Sequence, residues 1–115
     1  MSFAVQGGDT QDQNLLQFFL NMVEFEMNVQ VAAEAAIVNS YQMYSSFGTH
    51  SKEAGRIVVR DDTPPWVIKD LRSKGYNVVT RRLTSGPINA IWFDHKNGTM
   101  WGGSSNFGED YGIGW

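Results

Sequence analysis

The first residues able to do chemistry are two adjacent glycines. Gly7-Gly8 lies between a short apolar run, Phe3–Val5, and an amide-rich stretch, "DTQDQ", that can open a helix. Glycines there let backbone approach a ligand closely, and the positive end of the helix favours a bound carboxylate or a developing oxyanion. On local sequence alone the pair reads more simply as a tight turn.

The other candidates are weaker. His50 lies in a polar loop and His95 beside Asn97-Gly98; neither has a second histidine or a carboxylate at metal-ligand spacing. Asp94 and His95 are strand neighbours and point to opposite faces, so they form no dyad. Asp61-Asp62-Thr63 could be a carboxylate pair for acid–base work, but reads more simply as the acidic entry to a helix. The glycine-rich "WGGSSNFG" lacks the lysine and following helix of a phosphate-binding loop. Ser2 would be an N-terminal nucleophile only with Met1 removed, and Met1 is present. The absence of cysteine excludes disulfides, thiolate catalysis and cysteine-based zinc sites. Neither a metal nor a cofactor is expected.

The elements that must position these residues follow from periodicity. Phe3–Val5 ends a strand. From about Gln11 to Met27, apolar residues recur at three- and four-residue steps, which predicts a helix. Asn28 can cap a second, short helix through "VQVAAEAAI". "SYQMYSSF" is rich in strand formers, and "GRIVVR" is a better strand. Thr63-Pro64-Pro65 predicts a helix start with Thr63 as N-cap; Trp66, Val67 and Leu71 share its inner face and Gly75 closes it. "YNVVTRRL", "INAIWFD" and "TMWGG" are three more strands, the last two joined by an Asn97-Gly98 hairpin. The order predicts an α+β fold, an antiparallel sheet packed against helices, in a single domain over residues 1–115.

Composition sets outer bounds. In 115 residues, 42% apolar and 13% aromatic content is enough for a real core. Residues 1–51 carry no Lys or Arg, whereas 52–82 carry eight of the nine basic residues, mixed with four acids. The net charge of −3 argues against a nucleic-acid partner. "LLQFFLNMV", broken by Gln17 and Asn21, is far too short to cross a membrane, and no signal-peptide pattern precedes it. A soluble domain is expected, with no membrane partner.

With these residues in view, the chain resembles the gamma-glutamyltransferase family, specifically the C-terminal part of its small catalytic subunit. Met1-Ser2-Phe3, Gly7-Gly8-Asp9, Gln11, Gln13, and Met27-Asn28 with Gln30 fit one end of that pattern. "PPWVIKDLRSKGYNVV" is similar to its late helix and strand, and "DHKNGTMWGGSSNFGEDYGIGW" to its closing hairpin and glycine-rich tail. The resemblance implies an N-terminal nucleophile hydrolase, an αββα sandwich made by autocleavage. There a threonine attacks gamma-glutamyl amides such as glutathione, and water or an acceptor amine resolves the acyl-enzyme. It assigns the backbone of Gly7 and Gly8 to the oxyanion hole. The threonine lies upstream in that family and is not in this chain, so the chain is expected to be inactive alone. Ala35-Ala36-Ile37 stands where relatives have Ala-Pro-Arg, and Ser105-Asn106-Phe107 where they have Asp-Pro-Arg, leaving room for an acylase-like relative. The expected partner is the missing upstream part or a second copy, with gamma-glutamyl or other amides bound only by the full enzyme. The alternative is a stand-alone, non-catalytic binding or assembly module.

Overall fold

The computed structural model describes residues 1–84 and 86–107. The closing glycine-rich tail, from Gly108 to Trp115, lies outside them. The elements run β1 (Ser2–Val5), α1 (Gln11–Val23), α2 (Val29–Glu34), β2 (Asn39–Ser40), β3 (Arg56–Arg60), α3 (Pro65–Ser73), β4 (Asn77–Arg81), β5 (Ile88–Asp94) and β6 (Thr99–Ser104).

They form two sheets. Sheet A is antiparallel, in the order β1-β5-β6, and sheet B has the order β2-β3-β4. Sheet A pairs Phe3 with Ala90 and Ala90 with Gly103. Alternation along these strands turns Phe3, Val5, Ile88 and Ala90 toward α1 and α2. There they pack with Phe18, Val29, Ala32, Ala33 and Ile37 into the larger core. Phe18 is its anchor, fully buried, with its ring centroid 5.2 Å from that of Phe3. Sheet B buries Ile57, Val59 and Val78 against Ile68 and Leu71 of α3.

The mixed helix-and-sheet architecture and the antiparallel sheet are as expected. Sheet B adds a parallel pair, β3–β4, joined by α3 as the crossover. That connection follows from the strong helix between two strands, because a parallel pair needs such a crossover.

Local details differ instructively. Helix α1 stops at Val23, not near Met27; Glu26 takes a left-handed conformation (φ 52°) that returns Met27 to the core. Asn28 caps α2 as expected, accepting from Val31 N–H at 2.9 Å. Thr63 is not the cap of α3: the helix begins at Pro65, because Pro64 precedes a proline and stays extended (ψ 136°). Trp66 faces out, and the inner stripe is Ile68 and Leu71. Gly75 closes the helix at φ 90°. "SYQMYSSF" is strand only through Ser40; the rest is a loop.

The free edge of this short strand is satisfied by side chains. Two glutamines one turn apart on α1 occupy the outer edge of β2. Gln17 donates to Val38 C=O and accepts from Val38 N–H, both at 2.8 Å. Gln13 does the same at Ser40, at 3.0 and 2.7 Å. The two amides stand in for a neighbouring strand, so β2 needs no further partner on that side. Gln30 repeats the device at Ser104 of β6.

Candidate active site

Gly7 and Gly8 form the turn between β1 and α1, and each is glycine for a separate reason. Gly7 has φ +137°, which side-chain-bearing residues rarely adopt. A Cβ on Gly8 would stand 2.7 Å from a ring carbon of Phe47. The Gly8 carbonyl accepts from Gln11 N–H at 3.0 Å, which starts the helix. Neither glycine N–H donates a hydrogen bond among the described residues.

The turn is braced from both sides. Gln11 reaches back to the Val5 carbonyl at 3.3 Å. Asp9 accepts from Ser46 N–H at 2.8 Å, which ties the turn to the 41–55 loop. Those bonds from Ser46 hold the Asp9 carboxyl below the usual carboxylate range, with a smaller pull from His50. The loop keeps its own shape through Ser45 N–H to Ser51 C=O at 2.9 Å and the His50 ring on Ser45 C=O at 2.8 Å.

Gly7 opens onto a cleft of about 490 Å³ between the two sheets. The face of sheet B not covered by α3 contributes Asn39, Arg56, Val58 and Arg81; the first turn of α1 and the β4–β5 connection contribute Asn14 and Thr84. Asn39 donates to the Thr84 carbonyl, and Thr84 Oγ1 accepts from Ile37 N–H at 3.2 Å. The Oδ1 atoms of Asn14 and Asn39 are buried with no hydrogen-bond partner. Arg56 pairs with Glu53 and lies 4.9 Å from the centre of the Tyr41 ring, whereas Arg81 makes no ion pair among the described residues.

The structure does not bring the other candidates here. Asp62 is held in a two-pronged pair with Arg60, both contacts at 2.7 Å, which lowers the carboxyl and raises the guanidinium from their ordinary ranges. His95 stacks beside Phe93 at the exposed hairpin. Ser2 sits in β1, paired with Ile91. Among the described residues no group of three or more His, Asp or Glu could hold a metal ion.

The cleft's polar residues were missed in sequence, although one left a signal. Asn14 stands four residues before Phe18 and eight before Met22, a polar residue in the buried stripe of an amphipathic helix. Asn39, Arg56 and Arg81 carry no such mark, because only the pairing of three strands assembles them.

Comparison with solved structures fits this arrangement. LmbA2991 is 26% identical with a TM-score of 0.81, over 89% of this chain and 19% of its own. The gamma-glutamyltranspeptidase of Pseudomonas nitroreducens complexed with L-DON is 19% identical with a TM-score of 0.74, over 98% of this chain and 54% of its own. The fold is that of gamma-glutamyltranspeptidases and related N-terminal nucleophile hydrolases. Cephalosporin acylase of Bacillus halodurans shares it at 23% identity and a TM-score of 0.73, over 90% of this chain and 18% of its own. The chain therefore spans between about a fifth and about half of the length of these proteins. No family profile and no curated protein sequence matches it.

Proposed function

We propose that this chain is the C-terminal part of the catalytic subunit of a gamma-glutamyltranspeptidase-like hydrolase acting on gamma-glutamyl or related amides. Its own contribution is sheet scaffold and an oxyanion hole. A nucleophile supplied by the rest of the enzyme attacks the amide carbonyl, and the carbonyl oxygen gains negative charge. The N–H groups of Gly7 and Gly8 receive that charge. Donors fixed in place before the reaction need no reorganisation, which is the main source of such stabilisation. The observation that carries this reading is the pair of unengaged N–H groups at the glycine turn, whose Gly7, held at a φ that side chains disfavour, lines a cleft. Without a nucleophile the hole has nothing to stabilise, so the chain alone is silent.

The test is hydrolysis of gamma-glutamyl-p-nitroanilide by the chain alone and mixed with the upstream part of a transpeptidase of this fold. Silence alone and turnover on mixing is the expected result, with turnover lost in Gly7→Val. Turnover by the isolated chain, or full activity in the Gly7→Val mixture, overturns it.

One observation supports association of some kind. The side of sheet A away from the helices presents Ile91, Phe93 and Met100 to solvent. Either the rest of the enzyme or a second copy of the chain covers that face, and the latter gives a homo-oligomeric assembly module.

A further inference from the structure

We propose that Asn97 is a site of spontaneous covalent modification: it deamidates through a cyclic imide closed by the backbone nitrogen of Gly98, at a pace set by Asp94.

Sequence and exposure select the residue. Asn97 is the one asparagine of the chain that is followed by glycine. A side chain on the following residue crowds the attacking nitrogen, and glycine has none. A Cβ built on Gly98 would meet no atom within 4 Å, so solvent reaches this side of the turn. Both residues are exposed at the tip of the β5–β6 hairpin. The nearest competitor by sequence, Asn39 before Ser40, is 5% exposed and its amide nitrogen is held by the Thr84 carbonyl.

The attacking atom is unengaged. The N–H groups of Lys96 and Asn97 both donate to Asp94 Oδ1 at 3.1 Å, whereas that of Gly98 donates to nothing among the described residues. On losing its proton to hydroxide, the Gly98 nitrogen attacks Asn97 Cγ. The new carbon–nitrogen bond closes the imide. The bond from Cγ to Nδ2 breaks, and the side-chain nitrogen takes up a proton and leaves as ammonia. Water then opens the imide at either carbonyl, giving aspartate or isoaspartate. Nothing is oxidised or reduced, and water is the only reagent consumed.

Asp94 opposes the closure. Its Oδ2 accepts from Asn97 Nδ2 at 2.7 Å, so the carboxylate grips Asn97 by side chain and backbone at once. Closing the imide turns that side chain onto the following peptide and breaks this charge-assisted bond. The product inverts the interaction. A carboxylate at position 97 faces Asp94 where a donor stood, and like charges at that distance repel. The bond from Asn97 is the main cause holding the Asp94 carboxyl below the usual carboxylate range, so modification moves that carboxyl back up. Isoaspartate also adds a methylene to the backbone, and the turn then no longer matches the strands it joins.

This chemistry is independent of any role for Gly7 and Gly8. The test is incubation of the intact 115-residue chain in mildly alkaline buffer, with peptide mapping for a mass gain of about one dalton. The folded chain is expected to gain it at Asn97 before any other asparagine, and about tenfold more slowly than the same chain unfolded in guanidinium. Asp94→Ser is expected to react about tenfold faster than the folded wild type. Modification of another asparagine first, or none at Asn97 by the time the unfolded chain has fully reacted, would overturn the site. Equal rates folded and unfolded, or an unchanged rate in Asp94→Ser, would overturn the role of Asp94. The comparison of folded with unfolded chain needs no variant, so it decides even if Asp94→Ser weakens the hairpin.

Discussion

Gly7 and Gly8 are held as glycine by different forces, and the difference is measurable. At Gly7 the constraint is backbone conformation, so Gly7→Ala forces a strained φ and is expected to cost about 1–3 kcal/mol. At Gly8 the obstacle is the edge of Phe47, a ring 65% exposed and free to swing outward. Gly8→Ala should therefore cost under about 1 kcal/mol, within the range of ordinary surface changes. Urea unfolding of both variants checks the order; equal costs would mean the Phe47 contact is as rigid as backbone. Asn14 poses the opposite case, a residue whose polarity weakens the fold. Its buried oxygen has no donor, and Leu is close to it in shape. Asn14→Leu is expected to raise stability by about 1 kcal/mol or more. A loss of stability instead would show that the amide is already satisfied.

Among the elements, those governed by local chemistry were the ones legible in the sequence. Helix α3 follows from its prolines and Gly75, and the β5–β6 hairpin from Asn97-Gly98, where Asp94 accepts from the N–H groups of Lys96 and Asn97 at 3.1 Å. The Gly7-Gly8 turn was legible for the same reason. Strand β2 was not, because its free edge is satisfied by Gln13 and Gln17 from a helix more than twenty residues away. That distance also makes the device testable. Gln17→Ala removes both bonds to Val38 and one to the Gln13 carbonyl, and is expected to cost about 1–3 kcal/mol. Amide exchange should quicken at Val38, which faces Gln17, and not at Asn39, which pairs with Val58 of β3. Exchange that rises equally at both would mean β2 is held by β3 alone. The 41–55 loop has its own control in Asp9. Its carboxyl is lowered from the ordinary range by bonds from Ser46, so the tie is present above that range. It is lost as pH falls through the lowered value. The Ser46 amide resonance should follow that titration in the wild type and stay still in Asp9→Asn. A Ser46 resonance indifferent to pH in both would detach the loop from the glycine turn.

At the scale of the whole molecule, shape and surface point the same way. The radius of gyration is 15.7 Å, against about 13 Å for a self-contained domain of this length, and the extents are 48 × 35 × 23 Å. The excess comes from layering: each sheet is covered by helices on one side only, and α3 buries no residue completely. On the uncovered side of sheet A, Ile91, Phe93 and Met100 are 44%, 37% and 71% exposed, alternating along paired strands as one contiguous apolar strip. An apolar strip on a sheet recruits a second layer, and in the fold shared with the transpeptidases the remainder of a longer chain is available to supply it. In its absence the same physics drives copies of the chain together. The 115-residue chain is therefore expected to sediment as a dimer or larger, and a Phe93→Lys, Met100→Lys double variant as a monomer with unchanged circular dichroism. Both side chains point away from the larger core, so the variant keeps Phe18, Ile88 and Ala90 packed. A wild-type chain that stays monomeric at high concentration would show that the strip needs no covering layer, and would remove the physical argument for a missing partner.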